Sequence, residues 1–497
     1  MTRSARRTVV VLLAAASLSA AGVASASGSP HQQSTTPVFS TPLQLTAPFP
    51  YGLVQAEPAI KALPDGSFAV VAPASSPLGC ELWTLPAGAA TATFHTPPDA
   101  GVGGGDCDLS YLPATASTPN GTLAYSSLSL GSLTVGSSTD RGTTFSTPNP
   151  YGSTVPLVDR QWMDNDGSTI YMSYHMVVSN SIAVAASTDG GQTYLMRGTA
   201  IDTSHLGQAA YDNELGPLVV DNRSTASPKP LYTIFVAPST LLANLTTGAG
   251  TTSSVANGVF LAASYDGGYT WSDVPIYLGP ADASYDRVFP ALAIDAGGGL
   301  WAAWSDRSRI YVTHSLQRPT SGGRTTSDLN LDPLDPTVGS DLLSSAPLPL
   351  VQWSAPVPVD GTPGHANLFP WLVGGGPHRA ALTWYAGSGS SPDDATGGWT
   401  VGLQSLAVTR SGALQTVSGL PDGTHSVHND AICTSGVTCT GNTRALLDFL
   451  QVVVAPDGRL ALAWADDSAS PGATQVYVTE QCSGPSLYNG RALTSTC

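Results

Sequence analysis

The sequence predicts an all-β fold, a seven-bladed β-propeller of four-stranded antiparallel blades, and three observations carry that expectation. One hairpin recurs seven times: an apolar strand, a turn of Gly, Pro, Asp or Asn, and a second apolar strand. The second strands read FAVVAP, TLAYSS, TIYMSY, LYTIFVAP, LWAAWSD, AALTWYA and LALAWAD. An eight-residue phrase, Ser-x-Asp-x-Gly-x-Thr-aromatic, occurs three times, from Ser138 to Phe145, Ser187 to Tyr194 and Ser264 to Trp271. Finally, the last repeat lacks a fourth strand, whereas VFSTPLQL from Val38 to Leu45 resembles the fourth strands TFSTPNP, TWSDVPIYL and QWSAPVPVD. An N-terminal strand that completes the last blade closes the ring and removes an open sheet edge. These repeats overrule the several domains that length alone would suggest.

In chain order, residues 1–26 read as a secretory signal peptide: Arg3, Arg6 and Arg7, an apolar run from Val9 to Ala21, and a small-residue site at Ala24-Ser25-Ala26. The Arg6-Arg7 pair is also compatible with twin-arginine export. No later apolar run is long enough to span a bilayer. The expectation is a secreted, monomeric chain without a membrane anchor. Residues 27–37 form a linker, 38–46 the closing strand, 38–482 the propeller and 483–497 a C-terminal tail. The hairpin turns begin at Pro64, Pro119, Asp164, Asp221, Asp295, Gly374 and Pro456, and a third strand such as IAVAAS or VFLAAS follows each hairpin. Three of these third strands run into the repeated phrase. Its Asp can accept backbone N–H bonds, its Gly supplies a positive φ, and its aromatic ring opens the fourth strand. In the fifth blade, residues 317–350, rich in Pro, Ser and Asp, replace that turn and read as a mobile surface loop.

Composition narrows the partners. The formal charge is −16, and cleavage would remove three further cations, so nucleic acid and anionic membranes are disfavoured. Six cysteines in an exported chain favour disulfides, and sequence neighbours give Cys80 with Cys107, Cys433 with Cys439, and Cys482 with Cys497. No Cys-x-x-Cys occurs, so zinc is not expected, and no other metal or cofactor is either. Asp164-Asn165-Asp166-Gly167 has calcium-loop character but falls at a hairpin turn and lacks a distal Glu. His425 and His428 read as surface histidines of a polar loop.

The repeated phrase matches the Asp box, or BNR repeat, and the chain on this basis resembles secreted bacterial Asp-box propellers of the sialidase-like superfamily. In that family the Asp box is structural and lies on the face opposite the active site. A six-bladed ring, usual for sialidases, is the alternative architecture. The resemblance implies a glycan-acting site where loops between blades and second-to-third strand loops meet. Arg160, Arg287 and Arg444 all sit where a blade enters its innermost strand, and they are the candidate substrate-binding arginines for an anionic sugar. Glu214 resembles the family's Glu in placement, and Asp306 is a candidate carboxylate from a second-to-third loop. Tyr285, Tyr211 and Tyr385 are candidates for the nucleophile, Tyr285 taken first. The family's Arg-Ile-Pro motif meets Ala56-Glu57-Pro58 here, so its arginine is absent. The function expected is action on, or binding of, an extracellular glycan or glycoprotein, as an exo-glycosidase for an anionic sugar. The alternatives are a non-catalytic glycan- or protein-binding propeller and a polysaccharide lyase. In a structural reading, Arg160 and Arg287 instead pair with acids such as Asp159 and Asp286 and lock the ring.

Overall fold

The computed structural model describes residues 36–494 except 75–76, 130–131, 147–148, 150–156, 203–212, 240–255, 287, 323–345, 362–363 and 395–396. The signal peptide and most of the linker expected at the N-terminus therefore lie outside the described residues, as do Tyr211, Arg287 and Cys497.

Seven antiparallel blades follow one another along the chain, the fifth interrupted by a separate two-stranded hairpin and the seventh completed by N-terminal strands. Blade 1 spans Ala59–Ala62 to Thr93–His95, and blade 2 spans Cys107–Leu112 to Ser132–Ser138. Blade 3 runs from Val158–Asn165 to Leu195–Thr199, and blade 4 from Glu214–Val220 to Ser272–Leu278. Blade 5 runs from Ala291–Ile294 to Val357–Pro358, blade 6 from Asn367–Gly374 to Leu414–Gly419, and blade 7 from Gln451–Val454 to Gln475–Pro485. Blade 2 has a reduced fourth strand, a bridge of Asn149 to Val135 with two bonds of 2.9 Å. Seven blades are present, which excludes the six-bladed alternative.

The ring closes with the N-terminal strand. Val38–Phe39 and Leu43–Gln44 both pair antiparallel with Gln475–Pro485, with Val38 opposite Ser483 and Leu43 opposite Val478. The chain beyond Pro485 turns back as well, pairing Ala492–Leu493 with the same strand.

Continuous apolar strands follow from the packing. Every blade is sandwiched between two others, so both strand faces are covered and the period-two alternation of a one-sided sheet disappears. Phe68–Pro73 is buried at every position. The apolar clusters lie between neighbouring blades: Leu45, Ile60, Trp83 and Val476 join blades 7 and 1, and Phe235, Leu218, Val184 and Trp162 join blades 3 and 4.

The three repeated turns are superimposable in their bonding. In each, the Ser hydroxyl donates to the Asp and accepts the Gly amide, and the Thr hydroxyl closes on the second Asp oxygen. The Thr144 Oγ1–Asp140 Oδ2 distance is 2.6 Å, Thr193 Oγ1–Asp189 Oδ2 is 2.5 Å and Thr270 Oγ1–Asp266 Oδ2 is 2.6 Å. The glycines of these turns, Gly142, Gly191 and Gly268, have φ of 88°, 94° and 93°, which explains why the phrase keeps Gly there. Asp164–Gly167 forms a hairpin turn in the same manner, with Asp166 Oδ1 accepting the amides of Ser168 and Thr169.

Disulfides join Cys80 to Cys107, tying blade 1 to blade 2, and Cys433 to Cys439. The insertion in blade 5 begins and ends in a short hairpin of Thr320–Gly322 with Leu348–Leu350, and its middle lies outside the described residues. Among the described residues no helix is long and apolar enough to cross a membrane.

Candidate functional site at the channel mouth

The innermost strands of the seven blades surround a channel, and an aromatic plug fills its middle. Trp162, Phe289, Trp371 and Phe449, from blades 3 and 6 and the segments leading into blades 5 and 7, pack ring on ring. Trp162 lies 5.3 Å from Phe289 and 6.3 Å from Trp371, and Phe449 lies 6.2 Å from Trp371. On the hairpin-turn side of this plug is a cavity of about 220 Å³ lined by Lys61, Asp108, Leu218, Leu292 and Gln451. On the other side, where the inter-blade loops meet, the plug is the floor of a charged mouth.

Arg160 rests on that floor because the strand bulges. The register of blade 3 pairs Asp159 with His175 and Gln161 with Tyr174, leaving Arg160 as the extra residue. Its φ of 23° is rare for a residue with a side chain and re-aims the guanidinium into the channel. The cation sits 3.9 Å above the Phe449 ring and 4.7 Å above Trp162. All three guanidinium nitrogens are sealed from solvent and have no hydrogen-bond partner among the described residues. The neighbouring Asp159 does not neutralise it by a side-chain bond; that carboxylate accepts the Arg160 backbone N–H at 2.9 Å.

Acids gather above Arg160. Glu57, only 2% exposed and also at positive φ, accepts the backbone N–H of Asp448 at 2.8 Å. Burial, then the charges of Asp106 and Asp448, lift its carboxyl well above the usual range, while Arg160 pulls the other way. Asp106 lies close enough to Glu57 and to Asp159 for its charge to raise both carboxyls. Asp159 is raised by burial and by Asp106, with His175 opposing. It is nevertheless exposed to solvent. Asp448 is raised by burial but held down by Arg444, whose Nη1 donates to Asp448 Oδ1 at 3.0 Å and whose Nη2 donates to Oδ2. The mouth thus has two layers: a sealed pair, Arg160 and Glu57, and an outer set in which Asp159 is exposed and Asp106, Asp448 and Arg444 are half-buried.

The residues singled out in the sequence divide between this mouth and other places. Arg160 and Arg444 converge on Glu57. Arg287 lies outside the described residues. Glu214 opens the innermost strand of blade 4 opposite Val236 and is half-buried. Tyr285 is buried in the segment leading into blade 5, its ring against Tyr277 and Trp304, and burial and then Tyr277 push its hydroxyl far above the usual range. Asp306 closes a turn, its Oδ1 accepting the amides of Ser308 and Arg309 at 2.9 and 2.7 Å and its Oδ2 the Tyr311 hydroxyl at 3.1 Å. Tyr385 is fully buried and bonded to the backbone of Ala465. Asp286 pairs with Arg307 at 2.9 Å. Asp106 and Asp448, which sequence reasoning missed, immediately precede the innermost segments of blades 2 and 7, the positional rule that picks out Arg160. His428 is buried, contrary to the surface placement expected, because its Nδ1 pairs with buried Asp467 at 2.7 Å.

No protein-family model matches the chain, and no curated protein does. Solved structures with a similar fold include an α-L-arabinofuranosidase from Fusarium graminearum, at 14% identity and TM-score 0.38 over 70% of this chain and 93% of that one. A fucose-specific lectin from Aleuria aurantia matches at 11% identity and TM-score 0.41 over 74% of this chain and 97% of that one. A Hadza microbial sialidase matches at 11% identity and TM-score 0.38 over 82% of this chain and 73% of that one. Likenesses at this level concern the fold alone.

Proposed function

We propose that this chain is a secreted, sialidase-like Asp-box propeller that hydrolyses extracellular glycans at the channel mouth. The observation that supports the reading is an exposed carboxyl group, Asp159, beside other acids at the mouth, where burial and then the charge of Asp106 raise it above its ordinary range. Glycosidic cleavage uses a carboxylic acid of raised pKa to protonate the departing oxygen. Asp159 supplies that proton. Asp448, lifted by burial and oriented by both nitrogens of Arg444, serves as the opposing carboxylate. Arg160 and Glu57, sealed beneath, position the accessible layer through charge and the Asp448 amide and do not touch substrate.

Charge at the mouth favours a neutral sugar over an anionic one. Among the described residues Arg444 is engaged by Asp448, Arg160 is sealed, and Asp106 and Asp159 beside them are acids, so a carboxylated sugar would meet repulsion there. The purified protein should therefore release reducing sugar from a panel of neutral polysaccharides in preference to sialylated or uronic-acid glycans. Asp159→Asn and Asp448→Asn should each lower kcat by at least ~100-fold with melting behaviour retained. Glycan binding without turnover would instead make it a recognition propeller, and full activity in Asp159→Asn would remove the proposed acid.

A further inference from the structure

A second constellation lies on the mouth face, in blade 7 and the segment leading into it. Asp422, His425 and Asp466 each direct one donor atom into a common space, all within 4.8 Å of one another. We propose that these three side chains bind a divalent first-row transition cation of the Zn²⁺ or Mn²⁺ class, a site independent of the glycan reading above.

The geometry is built by two clamped loops. Asp422 and His425 belong to one tight turn, closed by the His425 amide on the Asp422 carbonyl at 3.1 Å with Gly423 at φ 58°. Asp466 ends the second strand of blade 7. The loops are tied by the Asp467 amide on the Val427 carbonyl at 3.0 Å and by the buried His428–Asp467 pair at 2.7 Å. That pair uses up His428 and leaves His425 as the imidazole that faces the acids. Asp466 Oδ1 is held by the Ser468 amide at 2.8 Å, which turns Oδ2 toward His425 Nε2, 3.0 Å away. This is the fixed carboxylate–imidazole spacing that an ion bonded at about 2.0–2.2 Å to each ligand bridges.

Donor chemistry selects the ion. Ca²⁺ and Mg²⁺ are satisfied by oxygen alone, whereas an imidazole nitrogen beside two carboxylates suits borderline transition ions. Two ionised carboxylates with a neutral imidazole match the charge of a divalent ion. Half of the His425 side chain is exposed, at 49%, so an ion has a path in and keeps positions for water.

The test uses the untagged full chain after treatment with a chelator. Titration calorimetry with ZnCl₂ and with MnCl₂ should show about one equivalent bound by at least one of them, accompanied by a rise in Tm. His425→Ala and Asp422→Asn, both on a surface turn, should keep the parental melt without metal and weaken binding by at least ~10-fold. Three results would each overturn the site: no binding of either ion up to about 1 mM, binding unaffected by His425→Ala, or tighter binding of CaCl₂ than of both transition ions. The retained metal-free melt of His425→Ala separates loss of ligand from loss of fold.

Discussion

Asp159 shows how one residue is placed under two opposed demands. Its carboxyl is raised by burial and by Asp106, so the native state favours the protonated form more than the unfolded chain does. The contribution of this group to stability is complete below its unfolded pKa of about 3.9 and is lost as pH rises through the higher folded value. Asp159→Asn, which cannot ionise, should melt higher than the parent at neutral pH, with the gap closing as pH falls toward 4; thermal unfolding across that range measures it. Activity should fall over the same rise in pH, since the parent's kcat falls as the acid loses its proton. A gain of stability with loss of turnover is the pattern expected of a group held for chemistry. Sequence alone reveals Asp159 only as the neighbour of an arginine. Its proximity to Asp106 depends on two blades meeting, and the aim of Arg160 into the channel depends on a bulge that no alternation pattern predicts.

At the scale of the element, the repeated turn is the part of the chain most fully legible before folding. Ser, Asp, Gly and Thr stand at fixed offsets because each makes a bond within the turn, and all three copies keep those bonds. Burial raises the carboxyls of Asp140, Asp189 and Asp266, but the Thr hydroxyl, the Thr amide and the Ser hydroxyl together outweigh it and leave all three below the usual value. These carboxylates therefore stabilise the fold above about pH 3.8–4 and cease to do so as pH falls through their lowered folded values. Thr144→Val, Thr193→Val and Thr270→Val should each cost about 1 kcal/mol in denaturant unfolding near neutral pH. Because the turns belong to separate blades, the triple change should be close to the sum, and the acid-induced loss of stability should become shallower. A site residue has no such local signature. Asp448 and Glu57 are 391 residues apart in sequence and meet only because the ring closes.

Closure itself is therefore the feature on which the whole molecule depends. The strand from Val38 to Gln44 supplies the outer edge of blade 7, with the Ser40 amide on the Glu480 carbonyl at 2.9 Å and Ser40 Oγ 3.0 Å from Thr479 Oγ1. Leu45, fully buried, follows it into the apolar cluster that joins blade 7 to blade 1 with Ile60, Trp83 and Val476. The same junction brings Glu57 at the start of blade 1 beside Asp448 at the start of blade 7. Weakening the closure should act on stability first and on the mouth second. Leu45→Ala removes most of a buried aliphatic side chain from a packed interface and should cost about 2–5 kcal/mol, read by denaturant unfolding. Deleting residues through Leu45 should do more: blade 7 loses its fourth strand, the edge at 475–485 becomes free to pair with another chain, and the protein should self-associate on gel filtration. A truncated chain that stayed monomeric and as stable as the parent would mean that the apolar interfaces between blades hold the ring without its closing strand. If the ring opens, the Glu57–Asp448 bond must fail with it, so any glycan hydrolysis should disappear at the same denaturant concentration at which blade 7 separates from blade 1.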